Sequence, residues 1–308
     1  MRVLVVGAGA VGGYFGGRLA EKGADVTFLV RERRKQQLDR EGLIIKSVHG
    51  DTALRVKTLL PGQPDDPYDL ILLSVKAYHL DQALDSLHHY VGEHTTILPL
   101  LNGISHIDTI GKRFGAEKVL GGLCFIESTL NGQGQIEQYN QVHEIVFGEW
   151  NGESTPRVRR MEELFAGANM SARSSGQIKV EMWKKYIFIS AMSGMTSIMR
   201  SSIGPILSSP YGKETYLRLL REIVGIARTQ EPNLKEDLAE RILSNMEKLE
   251  PTMKSSLLRD MEKGLPIETD HLHGTLIRLA PQELDLPILK MIYSTLKIYQ
   301  DQHDAAGK

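Results

Sequence analysis

The run Gly7-Ala8-Gly9-Ala10-Val11-Gly12 has the GxGxxG spacing. It follows an apolar run, Val3–Val6, and opens a helical stretch, and in that context it reads as a turn that holds the pyrophosphate of a dinucleotide. Gly7 permits the tight turn, Gly9 lets the backbone approach the phosphates, and Gly12 lets the helix pack on the sheet. The helix amino end then offers unpaired N–H groups to the anion. The second strand ends at Arg31, and Arg33, Arg34 and Lys35 follow. A basic residue there favours the 2′-phosphate of NADP(H), whereas a carboxylate favours the 2′-hydroxyl of NAD. NADPH is therefore the expected cofactor, although a one-residue shift of the strand end puts Glu32 at the ribose.

At the opposite end of such a cofactor, two strand ends carry polar side chains, Leu73-Ser74-Val75-Lys76 and Leu101-Asn102-Gly103. Asn102 can both donate and accept, and Lys76 can bond a ribose or steer an anion. Taken alone, each is more often an ordinary surface residue. Further on, Glu181 and Lys185 are separated by one helical turn, with Trp183 and Ile187–Ile189 as apolar neighbours. A lysine held partly out of water gives up its proton more readily and becomes a usable acid, though most helical lysines line a solvated face. Glu268 precedes a helix start and is a second candidate for the site. Cys124 lies in an apolar run and reads as a core residue rather than a nucleophile. His88-His89 and His271-Leu272-His273 lack zinc-site spacing and read as exposed helix surface, so no metal is expected.

The elements that must position these residues fall into two styles. Strand-like runs at Val3–Val6, Val26–Val30, Leu70–Val75 and Thr96–Leu101 alternate with helical segments, the pattern of a doubly wound parallel sheet. Leu120–Ile126, Gln135–Tyr139 and Glu144–Phe147 are short β-type segments expected to extend that sheet, and Pro156–Ala168 a helix. Beyond the Ser174-Ser175-Gly176 stretch only helical periodicity remains, over Val180–Ser193, Tyr211–Glu231, Leu234–Leu249 and Pro287–Gln300, with a fraying tail from Asp304 to Lys308. The expected division is an α/β Rossmann-type domain over 1–173 and an all-α domain over 174–308.

Composition narrows the class. Hydrophobic residues at 41% and charged residues at 24% suit a folded globular chain, and a net charge of -1 offers no general attraction to nucleic acid or an anionic membrane. No apolar run approaches the length of a membrane span, no signal peptide is read, and the single cysteine excludes an intrachain disulfide framework. The cytoplasm is the expected compartment.

Together the Gly7–Gly12 turn, Arg31, Val75-Lys76, Asn102-Gly103, Trp183-Lys184-Lys185, and Ser256 standing twelve residues before Glu268 resemble the ketopantoate reductase (2-dehydropantoate 2-reductase) family over nearly the whole chain. The resemblance implies NADPH-dependent reduction of 2-dehydropantoate to (R)-pantoate, in pantothenate biosynthesis. Lys185 would protonate the alkoxide, and Glu268 would hold the cofactor and Lys185. Asn102 would touch cofactor and substrate, Ser256 would bond the substrate carboxylate, and the helical domain would resemble that of 6-phosphogluconate dehydrogenases and serve substrate binding and closure. A homodimer is a family-level expectation. The family's asparagines one and two helical turns after the lysine are here Ile189 and Ser193, and a further one falls near Ile203. Ser193 stays among the substrate-binding candidates. These departures keep open reduction of a different 2-oxo acid, or an inactive NADP-sensing protein.

Overall fold

The computed structural model describes residues 1–306, with side chains to residue 303. Two compact units form among the described residues: 1–101 with 106–178, and 102–105 with 179–306. The first unit contains, in order, β1 (Arg2–Val6), α1 (Ala10–Glu21), β2 (Asp25–Leu29), α2 (Glu32–Glu41), β3 (Leu43–Ser47), β4 (Thr52–Leu54), β5 (Lys57–Leu59), β6 (Leu70–Leu73), α3 (Leu80–Asp85), β7 (Thr96–Pro99), α4 (Ser105–Phe114), β8 (Gly121–Leu130), β9 (Ile136–Gly148), α5 (Pro156–Phe165) and β10 (Ser171–Ser174). It reaches slightly past the expected boundary because Ile178 packs against Gly121 and Gly148.

The nucleotide-binding type of sheet has the order β5-β2-β1-β6-β7, parallel throughout. Its strands read as unbroken apolar runs because both faces are covered. Val3 and Val5 enter one core with Phe28, Leu70 and Leu72, while Leu4 and Val6 enter another with Leu29, Ile71 and Leu73. Val6 pairs with Leu29 and Leu73, and Leu73 with Pro99, so four strands end along one edge.

The later β-segments do not extend this sheet. β8 and β9 are two long antiparallel strands, and β9 belongs to a second, mixed sheet of order β10-β9-β3-β4. The reason lies on α1. A Cβ on Gly16 would meet Val5 at 2.6 Å and Phe28, in the first sheet. Cβ atoms on Gly13 and Gly17 would meet Ile136 at 2.5 Å and Ile45 at 2.7 Å, in the second. The glycine-rich helix is thin enough to be sandwiched between two sheets, so β9 pairs with β3 rather than β7.

The second unit holds α6 (Ile178–Met199), α7 (Ile203–Ser208), α8 (Gly212–Gln230), α9 (Leu238–Met246), α10 (Ser256–Glu262), a π-helical turn Asp270–Gly274, α11 (Thr275–Leu279) and α12 (Pro287–Ala306). Trp183, Tyr186, Ile187, Tyr216, Leu220 and Leu289 anchor its core. Glu222 caps α12 by accepting the N–H groups of Ile288 and Leu289 at 3.1 and 2.8 Å. α12 runs helically through Ala306, into the stretch expected to fray, whose last two positions lie outside the described residues. Among the described residues no helix is long and apolar enough to cross a membrane.

His271 and His273 are not exposed helix surface. His273 is fully buried, donates from Nε2 to the Ser190 carbonyl at 3.0 Å, and its Nδ1 faces the Thr269 hydroxyl at 3.3 Å. Burial lowers its pKa from 6.5 to about 4. Between those values the unfolded chain takes up a proton that the folded chain refuses, so stability falls as pH drops from about 6.5 toward 4 and this loss levels off below. His273→Gln, which keeps the donor but cannot titrate, is expected to flatten the decline of Tm across this window; an unchanged pH profile would remove His273 as its source.

Candidate active site

The glycine turn leaves β1 at the edge where the strands end. Gly7 adopts φ +95° and packs under the Ser74 carbonyl, a conformation and a space open to glycine. Gly9 is the N-cap of α1, no side chain caps that helix, and its first turn holds no carboxylate. A Cβ on Gly9 would meet nothing within 4 Å. Open space over uncapped N–H groups is what a pyrophosphate requires, so the turn fits a dinucleotide. Gly12 plays the opposite part, since a Cβ there would overlap the Ser74 hydroxyl and the Gly7 carbonyl. Gly12→Ala is therefore expected to lower stability by about 1–3 kcal/mol and to weaken dinucleotide binding, as a shift in the denaturant midpoint and a fluorescence titration would show.

The basic cluster after β2 divides by role. Arg34 donates to the Ala8 carbonyl at 3.1 Å and to the Gly134 carbonyl at 2.7 Å, so it braces the glycine turn against the β8–β9 hairpin. Its guanidinium is held below its ordinary pKa by desolvation. Lys35 is engaged with Asp39 and Thr58. Arg31, at the N-cap of α2, is exposed and bonds Gln82 at 2.8 Å. Glu32 is the first helical residue and accepts from Gln36 at 2.9 Å. Arg31, Arg33, Arg34 and Arg40 all line a cavity of about 960 Å³ between α2 and residues 130–135. Glu41 lines it too, but the arginines outnumber it and suit an anion such as phosphate. Lys76 precedes a short 3-10 turn, Ala77–His79, and is half-buried.

The remaining candidates belong to the helical unit, Asn102 among them. Lys185 is half-buried on α6, whereas its neighbour Lys184 is exposed. Trp183 and Ile187 face the core rather than flanking Lys185. The residues one and two turns along the lysine's own face are half-buried Ile189 and buried Ser193. Ile203 is 1% exposed, within the core of the helical unit. Ser256 is exposed at the start of α10, while its neighbour Ser255 is the buried one, capping α10 and bonding Thr196 at 2.8 Å.

One segment ties these parts together. Glu268 is half-buried just before the π-helical turn. Within that turn His271 Nε2 donates to the Asn102 carbonyl at 2.6 Å, the Leu272 carbonyl accepts from Tyr186 at 2.5 Å, and His273 bonds Ser190. Tyr186 and Ser190 both follow Lys185 on α6, so the register of the lysine's helix is fixed against the segment that holds the Asn102 loop. No local motif marks Gln82 or His271 as site residues in the sequence, since their partners Arg31 and Asn102 are 51 and 169 positions away. Arg34 is legible as part of the basic cluster, but not its bond to Ala8, 26 positions away.

Comparison with known proteins identifies the family. Residues 3–152 match the family model Ketopantoate reductase PanE/ApbA, and residues 177–300 match Ketopantoate reductase PanE/ApbA C terminal. The chain is 42% identical to the uncharacterized oxidoreductase YkpB of Bacillus subtilis (strain 168), over 97% of its own length and 99% of that protein. It is similar to the crystal structure of 2-dehydropantoate 2-reductase from Geobacter metallireducens GS-15, with TM-score 0.88, 25% identity, and coverage of 98% and 99% of the two chains. It shares its fold with D-mandelate dehydrogenase, solved as a ternary structure with NADH and anilino(oxo)acetate, at TM-score 0.89 and 20% identity over 99% and 100% of the chains. With both halves matched and a relative at 42% identity along the whole length, the chain belongs to the ketopantoate reductase family of oxidoreductases.

Proposed function

We propose that this protein uses NADPH to reduce 2-dehydropantoate to (R)-pantoate, the reductive step of pantothenate biosynthesis, with Lys185 as the proton donor. The observation that carries the reading is Lys185 itself: a half-buried ammonium on a helix whose register is clamped through Tyr186 and Ser190. A bound reduced nicotinamide supplies the hydride. The chain's own work is to hold the pyrophosphate at the Gly7–Gly12 turn, to meet the 2′-phosphate with Arg31, and to fix the nicotinamide end with Lys76, Asn102 and Glu268. Lys185 stabilises negative charge growing on the ketone oxygen and then delivers a proton from Nζ to it. Ser256 and Ser193 are the substrate-binding hydroxyls in this reading. Localisation in the cytoplasm and assembly as a homodimer complete the proposal.

A second reading has an observation of its own. Ile189 stands one turn from Lys185 on the same face. A hydrocarbon there offers no hydrogen bond to a substrate hydroxyl and favours 2-oxo acids with an apolar side chain. The fold does not decide between acids, because one fold hosts several substrates. Initial rates of NADPH oxidation with 2-dehydropantoate and with analogues lacking its hydroxymethyl group separate the two. A higher kcat/KM for 2-dehydropantoate supports the first reading, and the reverse order selects the second. NADPH binding with no turnover of any 2-oxo acid would instead identify a sensor.

A further inference from the structure

We infer that His271 is a positioning residue: its Nε2–H latches the Asn102-Gly103 loop in the geometry that hydride transfer needs. The inference rests on the reductase reading above and deepens it. His271 Nε2 lies 2.6 Å from the Asn102 carbonyl. A carbonyl only accepts, so Nε2 carries the proton, leaving Nδ1 toward the Ser105 hydroxyl at 3.4 Å. Both bonds go to one short segment, residues 102–105, which groups with the helical unit. Spending the backbone carbonyl of Asn102 on His271 leaves its carboxamide without a hydrogen bond among the described residues, and hence available to a ligand.

Two further features make the latch specific. Gly103 has φ +84°, and a Cβ there would sit 2.9 Å from His271 Nε2, so imidazole and loop are in direct contact. His271 also lies within a π-helical turn, Asp270–Gly274. Such turns are uncommon and concentrate at functional sites. This one aims adjacent residues at different partners: His271 at the Asn102 loop, while the Leu272 carbonyl receives Tyr186 and His273 reaches Ser190. The π-helical turn thereby joins Asn102 to the helix of Lys185 by hydrogen bonds, while Ile104 of the same loop packs against the helical core. Small misplacements of reacting groups cost disproportionately in rate, which is why a latch outside the chemistry matters.

The test compares His271→Ala with His271→Gln, whose amide nitrogen stands close to where Nε2 was. His271→Ala is expected to lower kcat about tenfold while NADPH affinity at the glycine turn changes less than about threefold, and His271→Gln to recover most of the rate. Amide hydrogen exchange provides a readout independent of turnover. Residues 102–105 are expected to exchange about five- to tenfold faster in His271→Ala alone, with the rest of the helical unit unchanged. Unchanged exchange in this segment would overturn the inference. So would a loss of kcat that His271→Gln fails to restore, or faster exchange throughout the helical unit, which marks a merely structural residue. If wild-type protein reduces no 2-oxo acid, the reductase reading fails by itself, and the exchange data still decide whether His271 holds the loop.

Discussion

Replacing Lys185 by alanine is expected to leave NADPH binding intact and to lower turnover of the 2-oxo acid about 10²–10⁴-fold, the usual worth of a positioned proton donor. The substitution isolates the chemistry. Alanine is the strongest helix former, so α6 is not weakened by propensity. The core contacts of that helix come from Trp183, Tyr186 and Ile187, which stay in place. Lys185→Arg separates charge from proton transfer: it keeps a cation but cannot release a proton at neutral pH, so it is expected to recover only a small part of the rate. Stopped-flow turnover with a parallel NADPH fluorescence titration reads both quantities. An unchanged rate in Lys185→Ala would remove the lysine from the mechanism, and loss of NADPH binding would reassign it to the cofactor.

Arg31→Asp is expected to move cofactor preference from NADPH toward NADH by about 10- to 100-fold, the equivalent of one charge-assisted hydrogen bond to phosphate. Arg31 is exposed and its one side-chain hydrogen bond among the described residues goes to Gln82, so it is available to a 2′-phosphate without breaking the fold. Its place at the N-cap of α2 makes the experiment clean, because aspartate is a preferred N-cap residue and the arginine side chain caps nothing. Loss of affinity therefore cannot be blamed on an unravelled helix. The ratio of kcat/KM for the two cofactors is the measurement. An equal fall with both would show that Arg31 serves the general electrostatics of the basic cavity rather than the 2′-phosphate.

What the sequence disclosed depends on the distance over which each feature is built. The Gly7–Gly12 turn and the buried run of β1 are local, and each is found where its spacing implies, whereas Arg31 lies past the end of β2, at the N-cap of α2. The glycines of α1 were also legible as a small-residue face, but not the consequence, a second sheet packed on that face. β8 and β9 read as short extensions of the first sheet because their true partner, β3, pairs at Ile45 with Ile136, far along the chain. The histidines of the 271–273 segment read as exposed surface for a similar reason. Helical periodicity describes an ordinary α-turn, whereas a π-turn rotates its side chains onto partners that periodicity does not reveal. Lys185 could be singled out by its neighbours, but its clamping through Tyr186 and Leu272 exists only in three dimensions.

The departures at 189, 193 and 203 are now unequal. Ile203 is core, so its identity bears on packing rather than on substrate choice. Ile189 and Ser193 share the lysine's face, so under the proposed reaction they are the positions at which to test substrate selectivity.

The proposed reaction moves a hydride from NADPH to a ketone and a proton from Lys185 to its oxygen. Incubation of the protein with 2-dehydropantoate and NADPH deuterated at the transferable position, followed by mass analysis of the acid formed, examines it most directly. Pantoate carrying deuterium on the former ketone carbon is the expected result. Pantoate without the label, or no reduced acid while NADPH remains bound, would contradict it.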